Sequence, residues 1–250
     1  MKKYILFIHG LGSSADRWLD LPDALSLLGY KTYAVDLPGF GESERSADIR
    51  YTVDHMTDVI ASFAKALDMS AADTVLVGHS LGGYIASRLV ARHKLGTGLV
   101  LIDSSGLLEG PTPLLNEYLA AAQSPTKQTV RKVMEQMVAN PIRIPEALVD
   151  GFIYRIQRPG ARNAFTTAFE SSTSTKLGAE EIAGLQTLGS RIFIIWGEKD
   201  ILIPTDYFMK FTEALPDARS AMVYDAGHAP FAEKPALVYE LLRQFIAELF

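Results

Sequence analysis

The chain has 250 residues and no cysteine, which excludes disulfide bonds, thiolate metal sites and a cysteine nucleophile. Its formal charge of -5 at pH 7 offers no basic surface for a nucleic acid, and no apolar run approaches the roughly 20 residues of a membrane-spanning helix. With 48% hydrophobic and 21% charged residues, the composition is typical of one globular domain, and we expect a cytoplasmic protein.

Short apolar runs that predict strands alternate along the chain with amphipathic stretches that predict helices. The runs are almost continuous in Val, Ile, Leu and aromatic residues, which is typical of a parallel sheet covered on both faces. The predicted strands are Tyr4 to Ile8, Lys31 to Val35, Thr74 to Val77, Gly98 to Ile102, Arg191 to Trp196 and Ser220 to Tyr224. The helices predicted between and after them are Asp54 to Leu67, Leu81 to Ala91 and Pro235 to Leu249. This alternation favours an α/β fold with a doubly wound, mostly parallel sheet.

One long region, from Leu107 to Leu188, contains no convincing strand. Helical patterns at Lys127 to Val138 and Ala161 to Phe169 are separated there by prolines. A helical insertion between two strands predicts a cap, so we expect a core of residues 1–106 and 189–250 and a cap of residues 107–188. The alternative is that these helices simply pack on the sheet.

The motif Gly78-His79-Ser80-Leu81-Gly82 matches the pattern Gly-x-Ser-x-Gly, and another glycine follows it. A predicted strand precedes the motif and a predicted helix follows it, which makes the match far more specific than the pattern alone. A sharp strand-to-helix turn holds such a serine in a strained conformation, and the glycines relieve the crowding around it. Ser80 is therefore the candidate nucleophile.

A serine hydroxyl needs a base to remove its proton, and position in the chain separates the five histidines. His228 lies in the loop between the last predicted strand and the last predicted helix, where open α/β sheets build their sites. His79 adjoins the nucleophile and is interpreted as a supporting residue, and His9 as a structural one. His55 and His93 lie on amphipathic helices and are expected to be solvated. His228 is the predicted base.

The base needs a carboxylate to orient it, and two aspartates follow predicted strands. Asp200 comes after the strand that ends at Trp196, and it gives the chain order Ser80, Asp200, His228 that the nucleophile motif leads one to expect. Asp103 ends another strand and is the alternative acid. We predict Asp200 as the acid and Asp103 as its competitor.

Backbone N–H groups are the predicted donors to the oxyanion of the reaction intermediate. The loop that begins at His9 follows the first strand and directs the N–H of Leu11 towards the nucleophile, and the N–H of Leu81 is the second donor. Losing one such donor typically costs about 10²–10³ in rate.

Several of these segments together resemble the α/β-hydrolase superfamily. They are His9-Gly10-Leu11-Gly12, Asp36-Leu37-Pro38-Gly39-Phe40-Gly41-Glu42-Ser43, Gly78 to Gly83, Trp196 to Asp200 and Gly227-His228. They are similar to the small esterases and carbon–carbon bond hydrolases of that superfamily. The resemblance implies an α/β-hydrolase fold with a Ser-His-Asp triad, no cofactor or metal, and a pocket between cap and sheet. Ser80 disfavours the dehalogenases and epoxide hydrolases, which carry an aspartate at that position.

The expected activity is hydrolysis of a small carboxylic ester through an acyl-enzyme. Alternatives are a carbon–carbon bond hydrolase of the meta-cleavage product type, an amidase or perhydrolase, and a ligand receptor without turnover. The chain is expected to be a monomer or homodimer with no nucleic-acid partner. Candidate pocket residues in the cap are Phe152, Tyr154, Phe165 and Phe169, although aromatics at helical spacing are more often core. Arg155, Arg158 and Arg162 are interpreted as solvated or paired rather than as substrate ligands.

Overall fold

The computed structural model describes residues 3–141 and 144–250. In that part of the chain six strands form one sheet, and every neighbouring pair is parallel. The strands are β1 (Tyr4–Ile8), β2 (Lys31–Val35), β3 (Thr74–His79), β4 (Gly98–Ile102), β5 (Ile192–Gly197) and β6 (Arg219–Val223). Their order across the sheet is β2-β1-β3-β4-β5-β6. The predicted doubly wound parallel sheet is confirmed.

Helices connect the strands and cover both faces of the sheet. Those of the first half are α1 (Leu21–Ser26), α2 (Val53–Ala66) and α3 (Leu81–His93). Between β4 and β5 lie α4 (Pro113–Gln123), α5 (Lys127–Met137), α6 (Glu146–Gln157), α7 (Ala161–Ser174) and α8 (Ala179–Gln186). The last part contains α9 (Thr205–Ala214), α10 (Pro230–Glu233) and α11 (Pro235–Leu249). None of the helices in the described residues is both long and apolar enough to cross a membrane.

Two apolar clusters form the core, one on each face of the sheet. Side chains alternate between faces along a strand, so neighbouring residues of β1 enter different clusters. Ile5 and Phe7 pack with Phe245 of α11 on one face, whereas Leu6 and Ile8 pack with residues of α2 and α3 on the other. Burial on both faces explains why the strands read as continuous apolar runs rather than alternating ones.

The helices between β4 and β5 divide by their contacts. The last of them, α8, lies along α3, where Glu181 pairs with Arg88 and Arg92. By contrast, α4, α6 and α7 bring their aromatic side chains together in a group that is continuous with the core on the α2 and α3 face of the sheet. The division into core and cap stays a prediction, and the contacts of α8 favour a cap that ends before Ala179 rather than at residue 188.

Candidate active site

Ser80 occupies the turn between β3 and α3 and has a backbone conformation that non-glycine residues rarely adopt, with φ 54° and ψ -120°. Such a conformation costs on the order of 1–3 kcal/mol and persists only where the surroundings impose it. Here the N–H of Ser80 donates to the Ile102 carbonyl at 3.0 Å, and its own carbonyl accepts from the N–H groups of Gly83 and Ser105 at 3.0 Å each. The turn is therefore fixed by β4 as well as by its own helix, and Ser80 is only 6% exposed.

The glycines around Ser80 are required by close backbone packing. A methyl group at Gly82 would overlap the carbonyl of Ile8, and one at Gly78 would overlap the backbone of Gly82. The motif thus allows β1, β3 and α3 to approach one another without side chains between them. This explains in physical terms why a serine flanked by glycines marks the turn.

His228 and Asp200 are joined by a hydrogen bond at the carboxyl edge of the sheet. Nδ1 of His228 lies 2.7 Å from Oδ2 of Asp200, and both side chains are almost fully buried. The other oxygen of Asp200 accepts from the backbone N–H groups of Leu202 at 2.8 Å and Ile203 at 3.0 Å. A carboxylate held in this way fixes the orientation of the imidazole and keeps its Nε2 available as a base.

His79 adjoins Ser80 in the chain, and its side chain contacts the loop that carries His228. The rings of His79 and His228 are 4.7 Å apart, and Nε2 of His79 donates to the His228 carbonyl at 2.7 Å. No hydrogen bond joins the Ser80 hydroxyl to His228 within residues 3–141 and 144–250. Catalytic hydrogen bonds are often long without substrate. The structure joins His228 to Asp200, and the pairing of Ser80 with His228 stays a prediction.

Asp103, the alternative acid, has a different environment from Asp200. It is 0% exposed, its Oδ1 accepts from the Gly197 N–H at 2.9 Å, and its Oδ2 has no donor in the described part of the chain. An oxygen of Asp103, one of Asp200 and a ring nitrogen of His228 lie within 4.8 Å of one another. Burial, reinforced by the charge of Asp200, raises the pKa of Asp103 well above its usual range. The raised pKa favours the protonated form of Asp103, whereas Asp200 is the carboxyl group that is bonded to His228.

The same three side chains are compact enough to ligate a divalent cation. In this arrangement, however, both oxygens of Asp200 and Nδ1 of His228 are used in hydrogen bonds. A metal would have to displace the bond between Asp200 and His228. The donor set fits a hydrogen-bonded triad better than a metal centre.

The two other buried histidines near the site are neutral. Nε2 of His9 accepts from the Leu37 N–H at 3.0 Å, so its proton is on Nδ1, which donates to the Gly10 carbonyl at 2.8 Å. Burial lowers the pKa of His9 to about 4. Burial, followed by the charge of His228, lowers the pKa of His79 well below its usual range. These residues support the site without competing with His228 for a proton.

The loop after β1 lies against the nucleophile, as the predicted oxyanion site requires. A methyl group at Gly10 would come within 3.0 Å of the Ser80 Cβ, so only a glycine allows this approach without displacement. Neither the Leu11 N–H nor the Leu81 N–H has an acceptor among the described residues. Two unengaged donors beside Ser80 are what an oxyanion needs.

Aromatic side chains from three helices pack onto this loop. Tyr118 of α4 donates its hydroxyl to the Leu11 carbonyl at 3.2 Å, and its ring lies 5.4 Å from Phe152 and 5.0 Å from Phe165. A methyl group at Gly12 would overlap this cluster. The loop therefore contacts Ser80 at Gly10 and the aromatic cluster two residues later.

A narrow cleft, open to solvent, lies beside the cluster. Two of the predicted pocket residues, Phe152 and Phe165, line it together with Gly12. Of the other two, Phe169 is buried in the core and Tyr154 is 68% exposed, so neither contributes to its walls. Tyr154 points away because it follows Phe152 by two residues on α6, about 200° around the helix.

Glu233 is a residue of this site that the sequence did not reveal. Its Oε1 accepts from the Gly227 N–H and its Oε2 from the Ala139 N–H, each at 2.8 Å. The His228 N–H in turn donates to the Met137 carbonyl, the last residue of α5, at 2.7 Å. The loop that carries the base is thus attached to the end of α5. The only signal in the sequence is an acid shortly after a catalytic histidine, and such acids are common.

Comparisons with known proteins agree with this fold. Residues 5–241 match the model of the alpha/beta hydrolase family. An uncharacterized hydrolase of Bacillus subtilis, YugF, is 28% identical over 98% of this chain and 90% of its own length. Lipase 3 of a Moraxella species is 26% identical over 92% of this chain and 72% of its own. The structure of a meta-cleavage product hydrolase from Pseudomonas fluorescens superposes with a TM-score of 0.87 at 21% identity, covering 99% of this chain and 92% of that one.

The family match spans nearly the whole chain, and the sheet order, the strained turn and the histidine loop are all in place. The protein belongs to the alpha/beta hydrolase family. Its relatives include ester hydrolases and carbon–carbon bond hydrolases. Membership of the family therefore establishes the fold and the hydrolase class but does not identify the substrate.

Proposed function

We propose that the protein is a serine carboxylesterase that acts through an acyl-enzyme. The proposal is supported by the strained backbone of Ser80 and by the His228–Asp200 pair joined at 2.7 Å. The residue before Ser80, His79, has its ring 4.7 Å from that of His228. The unengaged N–H groups of Leu11 and Leu81 next to that turn support it.

Each group has a defined task in the proposed reaction. His228 takes the hydroxyl proton of Ser80 as the oxygen attacks the acyl carbon, and Asp200 stabilises the resulting imidazolium. The N–H groups of Leu11 and Leu81 donate to the oxyanion. The imidazolium then protonates the leaving alcohol, and a water activated by His228 releases the acid and restores Ser80.

Hydrolysis of p-nitrophenyl esters of increasing acyl length tests the proposal. We expect steady turnover with an optimum length, and loss of more than about a thousandfold in kcat in Ser80→Ala. Ser62→Ala is the matched control, because Ser62 is exposed on α2 and its hydroxyl contacts only the Asp58 carbonyl.

Two results would contradict an esterase. Undiminished turnover in Ser80→Ala would remove the nucleophile assignment. Labelling of Ser80 by a fluorophosphonate, with negligible ester turnover in the wild type, would instead favour a carbon–carbon bond or amide substrate. An assay with a meta-cleavage product as substrate, in which its loss is followed by absorbance, would then test for the carbon–carbon reaction.

A further inference from the structure

We propose that the cleft beside the aromatic cluster is a binding site for an anionic oxyacid group, carboxylate or phosphate, at the far end of the substrate's acyl chain. Arg155 and Arg45 line this cleft, and Arg17 lies near enough to Arg155 for the two charges to interact. That the anion belongs to a substrate rests on the proposed esterase function. The anion site itself is inferred from the side chains around the cleft.

Arg155 is a cation without a partner. It forms no hydrogen bond or ion pair with any described residue, and its Nε is buried without an acceptor. Leaving a buried donor without an acceptor is unfavourable, and a bound anion would supply that acceptor. Arg155 follows Phe152 by three residues on α6, so the guanidinium and the ring lie on one face of the helix and both reach the cleft.

Two further guanidinium groups add positive charge at the same place. Arg45 lines the cleft and donates to the Gly41 carbonyl, but it pairs with no carboxylate in residues 3–141 and 144–250. Arg17 lies close enough to Arg155 to feel its charge; burial lowers the pKa of Arg17, Asp16 opposes this change, and Arg155 adds to it. Like charges brought together in this way favour an anion between them.

The acidic residues nearby are already engaged. Asp36 accepts from the N–H groups of Ala15 and Glu42 at 2.6 and 2.8 Å. Glu42 pairs with Arg158 at 2.8 Å, and Asp16 accepts from the Ser14 hydroxyl. They moderate the positive charge of the cleft but leave Arg155 without a direct partner.

The cleft is close to the proposed nucleophile along the first loop. Gly12 lines the cleft, and Gly10 contacts Ser80. Two residues of chain span at most about 7 Å, so an acyl chain of moderate length is long enough to cover this distance. Phe152 and Phe165 provide the apolar wall along which its methylene groups would lie.

The test compares p-nitrophenyl half-esters of dicarboxylic acids, from glutaric to suberic, with neutral p-nitrophenyl alkanoates of the same length. We expect one half-ester to be preferred over its neutral counterpart. Arg155→Gln should lower kcat/KM for that half-ester by about tenfold to a hundredfold, with the neutral ester changed by less than about threefold. Arg155→Glu should reverse the preference.

Arg162→Gln is the matched control, since Arg162 is exposed on α7 and does not line the cleft. Equal effects of Arg155→Gln on charged and neutral esters, or no preference for a half-ester at any length, would overturn the proposal. Thermal melting of each variant separates loss of folding from loss of charge recognition.

A binding measurement separates this proposal from the esterase function. Calorimetric titration of Ser80→Ala with glutarate, adipate and inorganic phosphate needs no turnover. If an anion binds and Arg155→Gln abolishes that binding, the anion site is supported even when no ester is hydrolysed. Comparison of the affinities for the dicarboxylates and for phosphate then identifies the preferred anionic group. Absence of binding by all three probes, alongside normal ester turnover, would overturn the anion site and leave the esterase intact.

Discussion

At the scale of single residues, the site contains two neighbouring buried carboxyl groups with different hydrogen-bond partners. Asp200 is bonded to His228 and to two backbone N–H groups, whereas Asp103 has one oxygen without a donor. Two carboxylates so close together in a buried site do not both ionise readily, as is generally true of such pairs. The environment, rather than the sequence position, assigns them their separate tasks.

This difference predicts unequal effects of the two amide substitutions. Asp200→Asn should lower kcat by about 10³–10⁴, because the amide no longer stabilises the imidazolium. Asp103→Asn should change kcat by less than about tenfold, since an amide reproduces a protonated carboxyl and still accepts from Gly197. Steady-state kinetics of both variants on one ester decides the matter, and a larger loss in Asp103→Asn would give the acid role to Asp103.

The neutral state of His9 predicts a pH dependence of stability. Its pKa is near 6.5 in the unfolded chain and about 4 in the folded one, so between these values the unfolded chain binds more protons. The free energy of unfolding should therefore fall as pH decreases from 6.5 towards 4. The contribution of His9 between pH 7 and pH 5 is about 2 kcal/mol.

Urea unfolding of the wild type and His9→Asn at pH 7 and pH 5 measures this contribution. We expect the variant to be less stable at pH 7, because it loses the acceptor for Leu37, and yet to lose about 2 kcal/mol less on acidification. The acid-induced loss that remains includes that of His79. Identical losses in the two proteins would show that His9 is not the group that titrates.

At the scale of secondary structure elements, the catalytic base depends on the end of α5. Glu233 bonds to Gly227 beside the base and to Ala139 after α5, and Met137 accepts from His228 itself. A backbone segment with these attachments has little freedom to change the direction of the imidazole.

Glu233→Gln tests whether this attachment positions the base. The amide offers only one acceptor oxygen in place of two, so one of the bonds to Gly227 and Ala139 is lost. We expect kcat to fall by about tenfold to a hundredfold with KM little changed. Glu248→Gln, which removes an exposed partner of Arg219, is the control. If kcat is unaffected, or if it falls only in step with the melting temperature, Glu233 has a structural role alone.

At the scale of the whole molecule, the sequence predicted best those parts in which backbone packing determines which residue type can occupy a position. The glycines around Ser80 are needed because β1, β3 and α3 meet there, and the buried strands are apolar because helices cover both faces. The fold is confirmed on these grounds. The placement of Asp200 beside His228 agrees with the expected chain order.

The parts that sequence predicted less well depend on how elements are oriented in space. Tyr154 and Arg155 are adjacent, yet Tyr154 points to solvent and Arg155 to the cleft, because only the packing of α6 decides which face is inward. Arg155 pairs with no described residue, whereas Arg158 is paired with Glu42, as expected for a surface arginine. Glu233 was missed because its partners are backbone groups distant in the chain.

The loop after β1 joins the proposed oxyanion donor to the wall of the cleft within two residues. A ligand that presses against the aromatic cluster therefore acts on the same stretch of backbone that holds the Leu11 N–H. Binding energy from the remote end of a substrate is then available to align that donor, and a truncated substrate forfeits rate as well as affinity. We therefore expect selectivity between substrates to appear in kcat. A rigid pocket that did not contact this loop would change only KM.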